Sequence, residues 1–240
     1  MNAPRAALHR VLSDGPVTWL LTGDSITEGW GLGRPELGYA GRFEAYLRSS
    51  AGPVRAQDVV RNSGVAGATV GEALWDFGAR VERHRADLVT ILFGMNDAGW
   101  GIAGIDRFQN GLEKFVERVI GLGGLPILQT PYPVGHGGEG THAALPAYVD
   151  VIRKLADERQ LLLVDHFAHW QDLPGRFDWY ADPWHVDERG HEELAARLIA
   201  TVLADPDPLS TSRDVAAYRR AKQEDDGGRR QPRDRKRCPR

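Results

Sequence analysis

The chain has 240 residues, of which 42% are hydrophobic and 26% charged, with a formal net charge of -3. That is the balance of one sizeable globular domain, and it gives no general electrostatic case for nucleic acid or an anionic membrane as a partner. The single cysteine, Cys238, cannot close an internal disulfide and stands in a polar tail, which argues against a catalytic thiol.

Met1 to Asp14 lacks the long apolar core and cleavage site of a signal peptide. No apolar run approaches the ~20 residues a membrane helix needs. The expectation is a soluble cytoplasmic protein. No internal repeat is evident; short apolar runs instead alternate with segments of helical period. Val17-Thr-Trp-Leu-Leu-Thr22 predicts a first strand, and Tyr39 to Arg48 a helix with Tyr39, Phe43, Tyr46 and Leu47 on one side. A second strand is expected over Gln57 to Arg61 and a helix over Val70 to Val81. Leu88 to Phe93 is the clearest buried strand, followed by an amphipathic helix from Ile105 to Leu122 that ends among glycines. Leu125 to Gln129, Leu145 to Arg159, Leu161 to Asp165 and Glu188 to Leu203 read as strand, helix, strand and helix. This alternation predicts an α/β fold: a three-layer α/β/α, flavodoxin-like sandwich around a central five-stranded parallel sheet. The folded domain is expected over residues 1–204. Residues 205–240, with a cluster of Arg and Lys at the end, read as a charged, disordered tail.

In open parallel sheets the site lies at the carboxyl ends of the strands, so chemistry is sought there. The first strand runs into Gly23-Asp24-Ser25, which places Ser25 just beyond it. Taken alone, this reads equally as a helix cap. A nucleophilic Ser needs a base, and that base needs a carboxylate to hold its tautomer. Asp182-Pro-Trp-His185, before the last helix, supplies both within one short turn. Asp187 and His191 compete for those roles, although His191 falls inside the predicted helix, where packing or capping suits it better. Glycines in Asn62 to Thr69 allow close backbone approach after the second strand, and Asn96 offers a side-chain amide after the third. Each of these alone is also an ordinary turn-former. Asp24 is assigned a structural role in its turn.

The four blocks together resemble the SGNH, or GDSL-type, hydrolases. Gly23-Asp24-Ser25-Ile26 is similar to the first block, with Ile in place of the family's Leu. Asn62 to Thr69 resembles the second, Gly94-Met95-Asn96-Asp97 the third and Asp182-Pro-Trp-His185 the last. The resemblance implies ester hydrolysis without a metal or other cofactor, on a small-molecule ester. Ser25 is then the nucleophile, His185 the base and Asp182 its orienting carboxylate. The Ser25 and Gly67 N–H groups, with the Asn96 side chain, form the oxyanion hole. An acyltransferase using the same triad, or a non-catalytic flavodoxin-like binding module, are the alternatives. The missing Walker loop and scarce Lys speak against a phosphate-handling module.

Trp30, Trp100, Trp179 and Trp184 fall in segments expected to ring the site; Trp100 and Trp184 are the first candidates for substrate contact, with plain packing the other reading. The glycine-rich stretch Val134 to His142 reads as a lid or simply a long loop. Its His136 and His142 lack the carboxylate or Cys neighbours of a metal site. The absence of a long hydrophobic lid favours short-acyl or soluble esters, O-acetyl esters of a carbohydrate or metabolite among them.

Overall fold

The computed structural model describes residues 2–49 and 55–203. The expected tail over 205–240, with its basic cluster and Cys238, lies outside the described residues. The chain opens with helix α1 (Ala3–Ser13), then β1 (Thr18–Gly23), α2 (Ser25–Glu28), α3 (Tyr39–Arg48), β2 (Val59–Asn62), α4 (Val70–Trp75) and α5 (Phe77–Arg80). There follow β3 (Leu88–Leu92), α6 (Ile105–Gly121), β4 (Leu125–Gln129), α7 (Leu145–Glu158), β5 (Leu162–Val164), α8 (His166–Gln171) and α9 (Glu188–Leu203).

The strands form one parallel sheet in the order β2-β1-β3-β4-β5, with Leu20 opposite both Arg61 and Val89, and Ile91 opposite Leu128. This is the expected five-stranded flavodoxin-like sheet. Its strand order reverses between β1 and β3, so the chain diverges there to opposite sides and leaves a crevice at the carboxyl edge. Helices α3 and α9 pack together in one layer, and α4, α6 and α7 pack together in the other. Every residue of β3 is buried, because this strand lies inside the sheet and is covered on both faces. Phe108, Leu112, Phe115, Val116 and Val119 form the buried stripe of α6 at helical period.

Three departures from the predicted elements have local causes. The helix expected from Val70 to Val81 breaks at Asp76, whose ψ of 24° leaves the helical region, and resumes as α5. Helix α1 was not among the predicted elements; Asn2 caps it by accepting a hydrogen bond from the Arg5 N–H, and a proline stands in its first turn. Helix α8 is a short helix capped by the Asp165 side chain through the Ala168 N–H. Among the described residues, no helix is long and apolar enough to cross a membrane.

Candidate active site

The site begins with the exit from β1. A Cβ on Gly23 would lie 2.2 Å from Thr27 Oγ1 and 2.5 Å from the Leu92 carbonyl oxygen, so only glycine fits where β1 meets α2 and β3 this closely. Asp24 then caps α2, its Oδ1 accepting from the Ile26 N–H at 3.0 Å. This is the structural role expected for it. Ser25 opens the helix, and its carbonyl accepts from both the Gly29 and the Trp30 N–H at 3.0 Å. A buried chain of side-chain bonds supports α2 from below. Thr27 Oγ1 meets the Tyr39 hydroxyl at 2.9 Å, Gln129 Nε2 donates to that hydroxyl at 3.3 Å, and Gln129 Oε1 meets His166 Nε2 at 2.9 Å.

The turn before α9 carries the other two groups. Asp182 Oδ1 accepts from the backbone N–H groups of Trp184 and His185, each at 2.8 Å, which curls the segment back on itself. Its second oxygen, Oδ2, stands 2.7 Å from His185 Nδ1, and His185 Nε2 stands 2.9 Å from Ser25 Oγ. Three residues separated by up to 160 positions are thereby joined in one hydrogen-bonded chain. Burial alone would raise the Asp182 pKa, but the bonds from the His185 ring and the two backbone N–H groups hold it below the usual carboxylate range. An ionised Asp182 takes the Nδ1–H of the imidazole, leaving Nε2 as acceptor for the serine hydroxyl.

The loop after β2 and the loop after β3 complete the rim. Asn62 Nδ2 donates to the Thr27 carbonyl at 2.6 Å, the Val65 N–H to the Gly23 carbonyl at 3.1 Å, and the Ala66 N–H to Glu28 Oε2 at 2.8 Å. These bonds lay the loop along α2. On its far side Asn96 Nδ2 donates to the Ala68 carbonyl at 3.1 Å, and Asp97 Oδ1 accepts from the Val70 N–H at 3.1 Å. Gly67, between the two sets of ties, is exposed in the left-handed region at φ 76°, with open space where a side chain would be. Among the described residues, the N–H groups of Ser25 and Gly67 have no acceptor. Asn96 retains one amide hydrogen beyond its bond to Ala68. Ser25, Asp182, His185, Gly67 and Asn96 therefore come to one edge of the sheet, at the switch point.

Two carboxyls lie beneath this rim. Burial pushes Asp24 up to about 7, against the Ile26 N–H that favours its ionised form, and the nearby Asp97 adds to the rise. Asp97 is likewise pushed up by burial, to about 6. Nothing in the local sequence marks either as shifted; their depth in the fold does.

The four tryptophans expected around the site differ in what they touch. Trp30, rather than Trp100 or Trp184, lies against the imidazole of His185, with ring centroids 4.6 Å apart and planes at 37°. Trp100 is exposed, and the Arg107 guanidinium sits over it at 5.7 Å. Trp184 donates its Nε1–H to His142 Nδ1 at 3.0 Å, and Trp179 packs edge-on against buried Trp170. His191 is buried, and its Nδ1 accepts from the Tyr39 N–H at 3.2 Å, a packing role as expected. The Val134 to His142 loop is anchored to the His185 turn. Its Gly135 N–H donates to the Pro183 carbonyl at 2.8 Å, the preceding Tyr132 hydroxyl to the Trp184 carbonyl at 2.9 Å, and His142 receives Trp184.

A serine, imidazole and carboxylate joined at the switch point of a 2-1-3-4-5 sheet are the arrangement of the SGNH class of α/β hydrolases. The GDSL-like Lipase/Acylhydrolase family model matches residues 21–193, and the chain belongs to that family: it is a carboxylic ester hydrolase of GDSL/SGNH type. Among curated proteins no match is found. Among solved structures, the chain is similar to an acetylxylan esterase from Geobacillus stearothermophilus, at 24% identity and a TM-score of 0.66, over 78% of this chain and 95% of that one. It is also similar to an α/β hydrolase from the metagenome of Lake Arreo, at 23% identity and a TM-score of 0.67, with the same coverage. A further acetyl xylan esterase is 19% identical with a TM-score of 0.64, over 76% of this chain and 98% of that one. At these identities the likeness is one of fold.

Proposed function

We propose that the chain hydrolyses small esters with short acyl groups through an acyl-enzyme on Ser25. The observation that carries this reading is the continuous chain from Ser25 Oγ to His185 Nε2, at 2.9 Å, and from His185 Nδ1 to Asp182 Oδ2, at 2.7 Å. His185 takes the Ser25 proton as Oγ attacks the ester carbonyl, and Asp182 stabilises the imidazolium that forms. The Ser25 and Gly67 N–H groups and the remaining Asn96 amide hydrogen point to the developing oxyanion. His185 then returns the proton to the leaving alcohol. Water attacks the acyl-enzyme by the same route, releasing the acid and restoring Ser25.

O-acetyl esters of a carbohydrate or small metabolite are the substrate class this reading favours. Two of the solved structures sharing the fold are named acetylxylan esterases. The loop that follows β4 is tied down beside the His185 turn, and this leaves it poorly placed to serve as a mobile cover for a long acyl chain. The test is hydrolysis of p-nitrophenyl acetate, butyrate and octanoate by the wild type and Ser25→Ala, with circular dichroism confirming that both are folded. The expected result is turnover falling from acetate to octanoate in the wild type and none in Ser25→Ala. Equal activity of the two proteins removes Ser25 as nucleophile, and a preference for octanoate removes the short-acyl assignment.

A further inference from the structure

The reading above rests on His185 Nε2 delivering a proton to the leaving alcohol, and it follows that the alcohol half of the ester sits beside the imidazole edge. The Trp30 indole lies against that same imidazole, 4.6 Å between centroids, yet 52% of the residue remains exposed. A Trp held this close to the reacting imidazole and left half in water has a large flat apolar face available beside the site.

The placement is built, not incidental. The Trp30 N–H donates to the carbonyl of Ser25 itself at 3.0 Å, so the indole is carried on backbone fastened to the serine. Gly29 ends α2 in the left-handed region at φ 83°, which aims the next residue back over the helix. Beyond it, Gly31 and Gly33 also have positive φ, and a Cβ at either would meet nothing within 4 Å. The rim next to the indole is therefore glycine backbone with open space above it. The other tryptophans near the rim are engaged elsewhere, with Arg107, His142 and Trp170.

The geometry points to Trp30 as the floor of an alcohol-side subsite that accepts a flat-faced ring. Such a ring, whether the C–H face of a pyranose or the π face of an aryl alcohol, covers an indole far better than an open chain does. The nucleophile and oxyanion groups handle the acyl half on the other side, and Trp30 sets which alcohol is preferred.

The test holds the acyl group constant and varies the alcohol. Ethyl acetate, phenyl acetate and an O-acetylated methyl pyranoside are hydrolysed by wild type, Trp30→Ala and Trp30→Phe, and kcat/KM for each ring ester is divided by that for ethyl acetate. The expected result is a fall of about tenfold in that ratio for at least one ring ester in Trp30→Ala, with most of it recovered in Trp30→Phe. A fall for the pyranoside alone assigns the subsite to sugars; a fall for phenyl acetate alone assigns it to aryl alcohols. An unchanged ratio, even with all three rates reduced, overturns the subsite and leaves Trp30 as packing for His185. A second measurement avoids catalysis altogether. Binding of phenol and of methyl pyranoside to Ser25→Ala is measured by isothermal titration calorimetry, and the affinity for at least one of them falls about tenfold in Ser25→Ala/Trp30→Ala; unchanged affinity for both in the double variant overturns the proposal. Because the binding arm needs no turnover, failure of Ser25 as nucleophile and failure of the subsite give different results.

Discussion

Asp182 does two jobs with two oxygens: one curls the turn by accepting the Trp184 and His185 N–H groups, and the other orients the imidazole. A three-residue spacing from carboxylate to histidine suits both, which is why this pair was legible in the sequence. Asn96 alone reads as an ordinary turn-former, and it becomes a candidate only beside the other three blocks. Its side chain is held by the Ala68 carbonyl, which leaves one amide hydrogen free for the oxyanion role proposed above. Asn96→Ala is expected to lower kcat by a factor on the order of 10² to 10³ with the fold retained. Steady-state kinetics on p-nitrophenyl acetate check it, and an unchanged kcat removes Asn96 from the oxyanion hole. Trp30 was visible as an aromatic near the serine, but its contact with His185 was not. That contact depends on where a left-handed glycine aims the chain, and such a turn leaves no periodic trace.

At the scale of elements, the strands and long helices announced themselves through period and burial, and the boundaries moved by a residue or two. Short elements did not announce themselves. Helix α8 depends on one Asp165 cap, and the break between α4 and α5 depends on the backbone of Asp76 alone. In the loop after β2, two glycines three positions apart matter for different reasons. A Cβ on Gly64 would lie 2.3 Å from the Glu28 backbone nitrogen and 2.7 Å from the Thr27 carbonyl carbon, neither of which a rotamer change can move. Gly67 has space but a φ of 76°, which disfavours a side chain by about 1–2 kcal/mol. Gly64→Ala is therefore expected to lower the melting temperature more than Gly67→Ala, and to push the Gly67 loop away from α2. Thermal melts of the two variants decide; an equal or smaller loss for Gly64→Ala refutes the close contact between loop and helix.

At the scale of the whole molecule, burial sets how stability responds to pH. Asp24 rises from an ordinary 3.8 to about 7 because it is buried, so the folded protein keeps a proton that the unfolded chain has released. The stability this contributes is present at low pH and is lost as pH rises from about 4 to about 7. Asp97, raised to about 6, acts in the same direction over a narrower window. His166 and His191 act oppositely. Burial lowers them to about 3 and about 4, so below about 6.5 the unfolded chain gains protons that the folded one refuses, and stability falls with pH. Asp24→Asn keeps an oxygen for the Ile26 N–H and leaves the histidines untouched. Its stability relative to wild type is expected to rise between pH 4 and pH 7.5, by an amount on the order of a few kcal/mol. Denaturant melts at the two pH values measure it, and a difference that stays constant shows Asp24 ionised in the folded state throughout.

By itself the sequence determined the alternation of strands and helices, the parallel sheet that follows from it, and the residue types standing at the strand ends, because period and composition are local properties of the chain. Only the tertiary structure decided that the β1/β3 crevice brings Ser25 within 2.9 Å of His185, that Trp30 rather than Trp100 meets the imidazole, and that Asp24 and Asp97 lie buried beneath the rim. Those outcomes depend on how loops from distant parts of the chain pack against one another, and a distance or a burial has no meaning until they do.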